Sequence, residues 1–159
     1  MPIFLIHLLH NIPIMQNKQF TKILFSIIIT ILSISSIAQN HKLTIKIPNI
    51  KKLEGIVEIG IYNDKEGFPD AGKQYKQYFF KLNSSTSLFE LKNIPIGKYA
   101  IALYHDQNTD GKCNKNLIGI PKESYGFSQN FKPRFSAPNF EDCAFYLNSD
   151  TTITIKLLH

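Results

Sequence analysis

From residue 40 onward, apolar and polar residues alternate with a period of two in several short segments. In the first segment, Leu43, Ile45 and Ile47 alternate with polar residues. This alternation is typical of a strand that buries one face. The pattern predicts a β-rich domain with strands at 41–47, 55–62, 75–82, 86–91, 98–105, 144–147 and 152–157.

Turn-forming residues separate these predicted strands. The segment 83–85 (Asn-Ser-Ser) predicts a hairpin between the third and fourth strands, and 148–150 (Asn-Ser-Asp) predicts another at the end of the chain. The segment 93–97, which contains Pro95 and Gly97, predicts a corner before the fifth strand. Many short strands without a helical pattern indicate an all-β antiparallel sandwich of about seven strands.

Residues 1–38 have a different pattern. Residues 1–14 carry no Lys or Arg, whereas the sequence from Met15 has Lys18 and Lys22, an apolar run and small residues up to Ala38. This order is typical of a secretory signal peptide and predicts a signal helix. We expect translation to start at Met15, with 1–14 as an upstream extension, and cleavage between Ala38 and Gln39.

The alternative for this segment is an uncleaved membrane anchor, because residues 20–37 approach the ~20 apolar residues of a spanning helix. Several Ser and Thr residues favour cleavage instead. The membrane would then be contacted only transiently, through the signal peptide. The mature protein, residues 39–159, would be exported as a periplasmic, cell-surface or secreted protein.

Composition limits the remaining possibilities. A chain of 159 residues with 43% hydrophobic residues has enough material for one core, which predicts a single domain at 39–159. The net charge of +6 falls to +4 if Lys18 and Lys22 leave with the signal peptide. The lysines are spread along the chain without a basic stripe, which argues against a nucleic-acid partner.

The stretch after the fifth strand has the spacing of a calcium loop. Asp106, Asn108 and Asp110 stand at alternate positions before Gly111, as in the first half of such a loop. The carbonyl of Lys112 and the side chain of Asn114 would complete a weak site, since Leu117 occupies the position of the usual bidentate glutamate. The alternative is a metal-free turn, because Asp, Asn and Gly also build Asx-turns.

An ordered set of residues spans most of the chain after residue 96: Gly97, Tyr99, Tyr104, His105, Asp106, Asn108, Asp110, Gly111, Lys112, Asn116, Gly119, Ile120, Pro121, Glu123, Gly126, Phe127, Ser128, Pro138, Phe140, Glu141, Asp142, Ala144 and Phe145. In these residues the chain resembles the bacterial family called domain of unknown function 2141. The resemblance implies an exported immunoglobulin-like or transthyretin-like sandwich with no established activity. At the position after Cys113, where such sequences usually have an acid, this chain has Asn114, which weakens the calcium hypothesis.

Two further departures from the family pattern are Cys113 and Cys143, the only cysteines of the chain. In an exported protein, a lone pair of cysteines favours a disulfide. A Cys113–Cys143 bridge is therefore a hypothesis, alongside two free thiols.

Catalytic signals are weak. His105 lies beside Asp106 with Glu123 downstream, yet the chain has no G-x-S-x-G or comparable nucleophile motif. We expect His105 to be a strand-end histidine that is hydrogen-bonded to a neighbouring loop.

The segment 126–135 contains Phe127, Phe131 and Phe135 together with two cations. If exposed, these aromatic rings would form a binding lip for glycans or partner chains, and if buried they would close one end of the sandwich. Burial is the favoured interpretation.

The sequence thus predicts an exported, non-catalytic binding module for an unknown protein or glycan, acting through residues 106–135. It predicts no cofactor other than calcium. A structural accessory domain with a calcium-stabilised loop is the first alternative, and an uncharacterised hydrolase is the second.

Overall fold

The computed structural model describes residues 39–82, 88–117, 119 and 121–159, together with Lys22 and Ser26. The predictions for the signal peptide, for Met15 and for the residue before the cleavage site lie outside the described residues. Among the described residues, no helix has the length and apolar character needed to cross a membrane.

The described part of the domain contains eight strands, one short α-helix and one 3-10 helix. The strands are β1 (Asn40–Lys46), β2 (Ile56–Tyr62), β3 (Lys76–Lys81), β4 (Leu88–Pro95), β5 (Gly97–Asp106), β6 (Ser124–Phe127), β7 (Phe145–Leu147) and β8 (Thr151–Thr154), and the helices are the 3-10 helix Ser128–Asn130 and α1 (Phe140–Cys143).

The strands form two sheets, which confirms the prediction of a mostly β fold. One sheet has the order β4-β1-β8, and the other has the order β3-β2-β5-β6, with β7 paired to the first residues of β5. All pairs are antiparallel except β1 and β8, which are parallel. The expectation of a wholly antiparallel fold is therefore wrong at β8.

Both predicted hairpins are also wrong, for one physical reason. β3 and β4 belong to different sheets, and so do β7 and β8. The predicted turn at 83–85 lies outside the described residues, but the strands on either side of it do not pair. Turn residues indicate that the chain reverses, whereas the sheet that the next strand joins depends on which buried faces must meet.

The predicted corner before β5 is confirmed. β4 ends at Pro95 in one sheet and β5 begins at Gly97 in the other, so the chain changes sheets across Ile96. Asn93 has a positive φ of 59°, a conformation that asparagine tolerates better than most residues.

One hydrophobic core lies between the two sheets, because strands of both contribute to it. The three-stranded sheet provides Leu43, Ile45 and Leu91, and the five-stranded sheet provides Val57, Ile59 and Ile101. These residues occupy alternate positions, as the period-two pattern predicted.

A second, smaller apolar cluster covers part of the outer face of the five-stranded sheet. Phe68 from the loop after β2 lies edge-on to Tyr62, with 5.0 Å between ring centroids, and edge-on to Phe140 of α1 at 6.0 Å. Helix α1 begins with a capping box between Asn139 and Asp142. The alternation pattern missed this helix because four residues are too few to display a helical period.

Candidate functional site

Two irregular segments leave the ends of β6, and they contain most of the predicted site residues. We call residues 106–123 the long loop and residues 127–139 the arm, so that each region includes the strand residue from which it leaves. The long loop joins β5 to β6, which are antiparallel, with Leu103 opposite Gly126 and His105 opposite Ser124. The sequence predicted a turn after Asp106 but no strand at 124–127, so β6 and its antiparallel pairing with β5 were missed.

Asp106 anchors the start of the long loop. Its side chain is buried, with 2% of the residue exposed, and its carboxylate accepts hydrogen bonds from the backbone N–H of Asp110 at 3.3 Å and of Gly111 at 2.9 Å. Gly111 has a φ of 73°, which a residue without Cβ adopts at little cost. The loop therefore folds back on Asp106.

Asp110 is the exposed centre of the same turn. Its carboxylate accepts hydrogen bonds from the side-chain amides of Asn114 at 2.8 Å and Asn108 at 2.9 Å, and from the backbone N–H of Lys112 at 2.9 Å. These bonds, the one from Asn114 foremost, lower the pKa of Asp110 because they favour its charged form. The structure thus brings together all five residues that the calcium hypothesis named.

The hydrogen bonds of these residues are formed within the turn itself, between residues 106 and 114. The oxygens of Asp106 and Asp110 face N–H donors, as the metal-free alternative requires. In the described part of the chain, no three His, Cys, Asp or Glu side chains are grouped so that they could hold a metal ion. The calcium site stays a prediction.

Glu123 closes the other end of the long loop. Its carboxylate accepts hydrogen bonds from the backbone N–H of Gln107 at 3.2 Å and of Asn114 at 3.3 Å. Burial raises its pKa, and the nearby charges of Asp106 and Asp110 add to this effect. The sequence analysis considered Glu123 only for acid–base chemistry. Its position just before the apolar residues of β6 was the available signal for an anchoring role.

A polar pocket opens between the two ends of the long loop. It has a volume of about 390 Å³. Beside the pocket, the two sides of the long loop are joined by a backbone hydrogen bond of 2.7 Å from the N–H of Lys122 to the carbonyl of Asn114. An isolated β-bridge between Lys115 and Pro121 joins them as well. The residues that line the pocket are Gln107, Asn108, Asn114, Lys115, Lys122 and Glu123.

His105 is hydrogen-bonded at the end of β5, as expected, but its partner belongs to the segment before β2 and not to the loop that follows the strand. It is 1% exposed, and its Nε2–H donates a hydrogen bond of 2.7 Å to the carbonyl of Glu54. Because a carbonyl can only accept, this bond fixes the proton on Nε2. The ring therefore ties the end of β5 to the segment before β2.

A different serine and histidine pair was missed by sequence reasoning. The Oγ of Ser124 lies 2.7 Å from Nδ1 of His159. Burial lowers the pKa of His159, and the charges of Lys51 and His105 lower it further.

The two cysteines are free thiols that lie in separate environments. Cys143 is fully buried in the second cluster, and Cys113 is half-buried in the long loop. Burial raises the pKa of Cys113 to about 11 and that of Cys143 to about 12. The disulfide stays a prediction, and the described contacts do not depend on it.

The arm combines the two alternatives that the sequence left open. Phe127 is buried and Phe131 is half-buried, and both belong to the second cluster. Phe135 is 101% exposed, and the adjacent Arg134 is exposed as well. The favoured interpretation, burial, therefore holds for the first two rings and is wrong for Phe135.

Ser128 fixes the start of the arm and was not singled out by sequence reasoning. It is 1% exposed, and its Oγ accepts a hydrogen bond of 2.9 Å from the N–H of Ile101 and donates one of 2.5 Å to the carbonyl of Cys143. β6 pairs with β5 up to Ala102, and β7 pairs with it up to Tyr99. The Ser128 hydroxyl therefore forms a hydrogen bond with the backbone of β5 at Ile101, between the part of β5 that pairs with β6 and the part that pairs with β7.

The predicted face from residue 106 to residue 135 is consequently two regions. β6 runs back along β5 from the long loop, so the arm begins beside Ile101 rather than beside Asp106. Any binding through both regions would have to span the length of β6.

The chain was compared with protein-family models, with curated proteins and with solved structures. The model of domain of unknown function 2141, described as an uncharacterized protein conserved in bacteria, matches residues 45–155. The search of curated proteins found no match. The search of solved structures found none either.

Proposed function

The chain belongs to the family of domain of unknown function 2141, and from that premise we propose that it is an exported, non-catalytic binding module for a protein or a glycan. The proposal includes an immunoglobulin-like or transthyretin-like sandwich, consistent with two sheets around a shared core. It also includes removal of residues 1–38. Export predicts that the mature protein begins at Gln39, which mass spectrometry of the protein from the cell envelope or medium would test.

The observation that carries the binding role is the exposure of Phe135. The ring has no contact that keeps it from water, although Phe127 and Phe131 of the neighbouring sequence pack on the domain. Arg134 and Lys132, also exposed, flank it. Aromatic rings and arginine are enriched at binding surfaces. Aromatic rings provide a large contact area with few rotatable bonds, and the planar guanidinium of arginine provides several hydrogen-bond donors.

A binding measurement with two phenylalanine variants tests this role. The purified exported protein is titrated against isolated envelope polysaccharide and, separately, against envelope proteins of the producing cell. We expect saturable binding to one of the two, weakened at least about tenfold by Phe135→Ala, as for a hot-spot aromatic residue. Phe79→Ala is the matched control, since Phe79 is 60% exposed on β3 and away from the arm.

Saturable binding that Phe135→Ala leaves unchanged would contradict the role of the arm. The lack of saturable binding to either fraction would contradict the binding module itself.

The alternative is a structural accessory domain whose long loop is stiffened by calcium. It rests on the grouping of Asn108, Asp110 and Asn114 in one turn, although in the structure the amide N–H groups of both asparagines face the carboxylate of Asp110. Thermal melting in calcium and in chelator tests it: a weak extracellular-type site with a Kd of about 10⁻⁴ to 10⁻³ M would raise the melting temperature at millimolar calcium. Equal melting temperatures would remove this alternative.

A further inference from the structure

The strand β3 forms one edge of the five-stranded sheet, and no described residue pairs with its outer side. Its pairing with β2 is regular from Lys76 to Lys81, without a bulge. Three consecutive aromatic residues, Tyr78, Phe79 and Phe80, occupy the middle of the strand. An edge of this kind presents unpaired N–H and C=O groups, to which the backbone of another strand can bind.

Two other edges of the described sheets are blocked by hydrogen bonds. At β6, the backbone of Tyr125 forms two hydrogen bonds with the backbone of Leu158, at 3.1 and 2.7 Å. At β8, the side-chain amide of Asn130 donates to the carbonyl of Thr154 at 3.0 Å and accepts from the N–H of Lys156 at 2.8 Å. These groups occupy the positions that a further strand would need.

The remaining described edges are protected by their own sequence. β4 has an irregular register with β1, carries the exposed residues Glu90 and Lys92, and ends at Pro95. β7 has only three residues. Charged side chains, bulges, proline and short length are the usual means by which an edge strand avoids pairing. Among the strands that the structure describes, β3 is therefore the edge that stays suited to an added strand.

The aromatic side chains of β3 are incompletely covered. Phe79, on the outer face of the sheet, is 60% exposed. Tyr78 and Phe80 lie on the core face, where they stack with 6.4 Å between ring centroids, and both are only partly buried. Covering aromatic surface is favourable, and exposed apolar surface of this kind marks interaction sites. A strand added at this edge would cover all three rings.

We propose that β3 pairs with β3 of a second copy of this chain, antiparallel and with Phe79 opposite Phe79. Opposite residues of two paired strands lie on the same face, so this register makes the core faces of the two copies continuous. It also places Tyr78 of each copy opposite Phe80 of the other, and Gln77 opposite Lys81. Aromatic pairs across strands are favourable, and no two like charges are opposite each other.

A shift of the register by one residue is unfavourable for two reasons. It would place Lys76 of each copy opposite Lys81 of the other, and like charges in this arrangement repel. It would also place Tyr78 of the core face opposite Phe79 of the outer face, which breaks the continuity of the two faces. The charges at the ends of β3 therefore select the register with Phe79 at the two-fold axis.

The resulting contact uses the same surface on both copies, as in most homodimers. One added strand is a small contact, so we expect a weak dimer that depends on protein concentration. This self-association surface goes beyond the proposed function and is separate from the arm.

Sedimentation equilibrium of the purified exported protein at increasing concentrations tests the proposal. We expect a reversible dimer, and Phe79→Lys and Phe79→Glu should each weaken it at least about tenfold, because like charges would be opposite each other. An equimolar mixture of these two variants should associate again, because opposite charges then meet. Phe135→Lys is the matched control, the same change at an exposed phenylalanine of the arm, and should leave the dimer unchanged.

Hydrogen exchange of the parent protein provides a second measurement that needs no variant. As the concentration rises, exchange at the backbone amides of residues 77–81 should slow, because pairing protects them from water. Exchange at the amides of β4, the protected edge, should stay the same.

Four results would overturn the proposal: a parent protein that stays monomeric, a variant mixture that does not associate, an equal loss of association in Phe135→Lys, or unchanged exchange in β3. The envelope titrations are made at concentrations at which the protein is monomeric, so Phe79→Ala stays a valid control there. Failure of the dimer therefore leaves the role of the arm standing, and failure of envelope binding leaves the dimer standing.

Discussion

The long loop and the arm leave opposite ends of the same short strand, and different forces hold them. In the long loop, the carboxylates of Asp106 and Glu123 accept hydrogen bonds from backbone N–H groups. In the arm, Phe127 and Phe131 pack into an apolar cluster, and the side chains of Ser128, Gln129 and Asn130 form hydrogen bonds with neighbouring backbone groups. One segment is fixed by charge-assisted hydrogen bonds, and the other by burial together with neutral hydrogen bonds.

This difference affects what each region can present to a partner. The carboxylates of the long loop accept hydrogen bonds from the loop itself, whereas its three lysines, Lys112, Lys115 and Lys122, are exposed. In the arm, the rings of Phe127 and Phe131 pack on the domain, whereas Phe135 and Arg134 are exposed to water. Each region therefore exposes the groups that its own folding does not use.

The largest expected effect is in the arm. Phe127→Ala should lower the free energy of unfolding by about 3 to 5 kcal/mol, because it removes a buried ring and leaves a cavity among Phe68 and Tyr125. Phe135→Ala, the same change on an exposed ring, should stay within about 0.5 kcal/mol. Urea denaturation of the two variants measures both values. Similar losses would show that burial does not distinguish these rings.

A smaller loss is expected in the long loop. Asp106→Ala should cost about 2 to 3 kcal/mol, because two backbone N–H groups lose a charged acceptor. Asp64→Ala is the control, since Asp64 accepts one such bond, from Glu66, in an exposed loop. Urea denaturation again gives both values. If the Asp64 variant loses as much stability, the burial of Asp106 is irrelevant.

Cys113 lies in the long loop and Cys143 lies in α1, which follows the arm, so their reactivities compare the two environments. With pKa values raised to about 11 and about 12, the thiolate fractions at pH 8 differ about tenfold, and Cys143 is also fully buried. Alkylation of the native protein, followed by mass spectrometry, should modify Cys113 at least about tenfold faster. A protein that reacts only after reduction would instead establish the Cys113–Cys143 disulfide.

The smallest effect is the dependence on pH. The pKa of Asp110 is lowered on folding, so its contribution is present above the usual value of about 4 and is lost as pH falls through the folded value. The pKa of Glu123 is raised, so its protonation favours the folded state and acts in the opposite sense.

Denaturation midpoints at pH 5 and pH 3 measure the balance in the parent protein and in Asp110→Asn. The variant should lose less stability between the two values than the parent does. The same loss in both would mean that Asp110 does not contribute to the acid sensitivity.

Much of the fold could be predicted because the alternation of apolar and polar residues along a strand indicates which side chains are buried. Leu43, Ile45, Tyr99 and Ile101 were assigned to buried faces by pattern alone, and all are buried. The turn at Asp106 to Asp110 was also predictable, since these side chains bond to backbone groups a few residues away. Local hydrogen bonds and side-chain alternation need no knowledge of distant residues.

The pairing of strands that are distant in sequence could not be predicted from these local patterns. The parallel pairing of β8 with β1, the change of sheet between β3 and β4, and the place of Ser128 under Ile101 all join residues far apart in sequence. The same holds for Phe127 and Phe135, identical residues in one segment whose burial depends on whether the second cluster lies beneath them. The sequence by itself determined most of the strands and the turn after Asp106, because alternation and short-range hydrogen bonds are local, whereas β6 and α1 were not recognised. The tertiary structure decided which strands meet and which side chains remain free to bind, because both depend on the surfaces left after the sheets have packed.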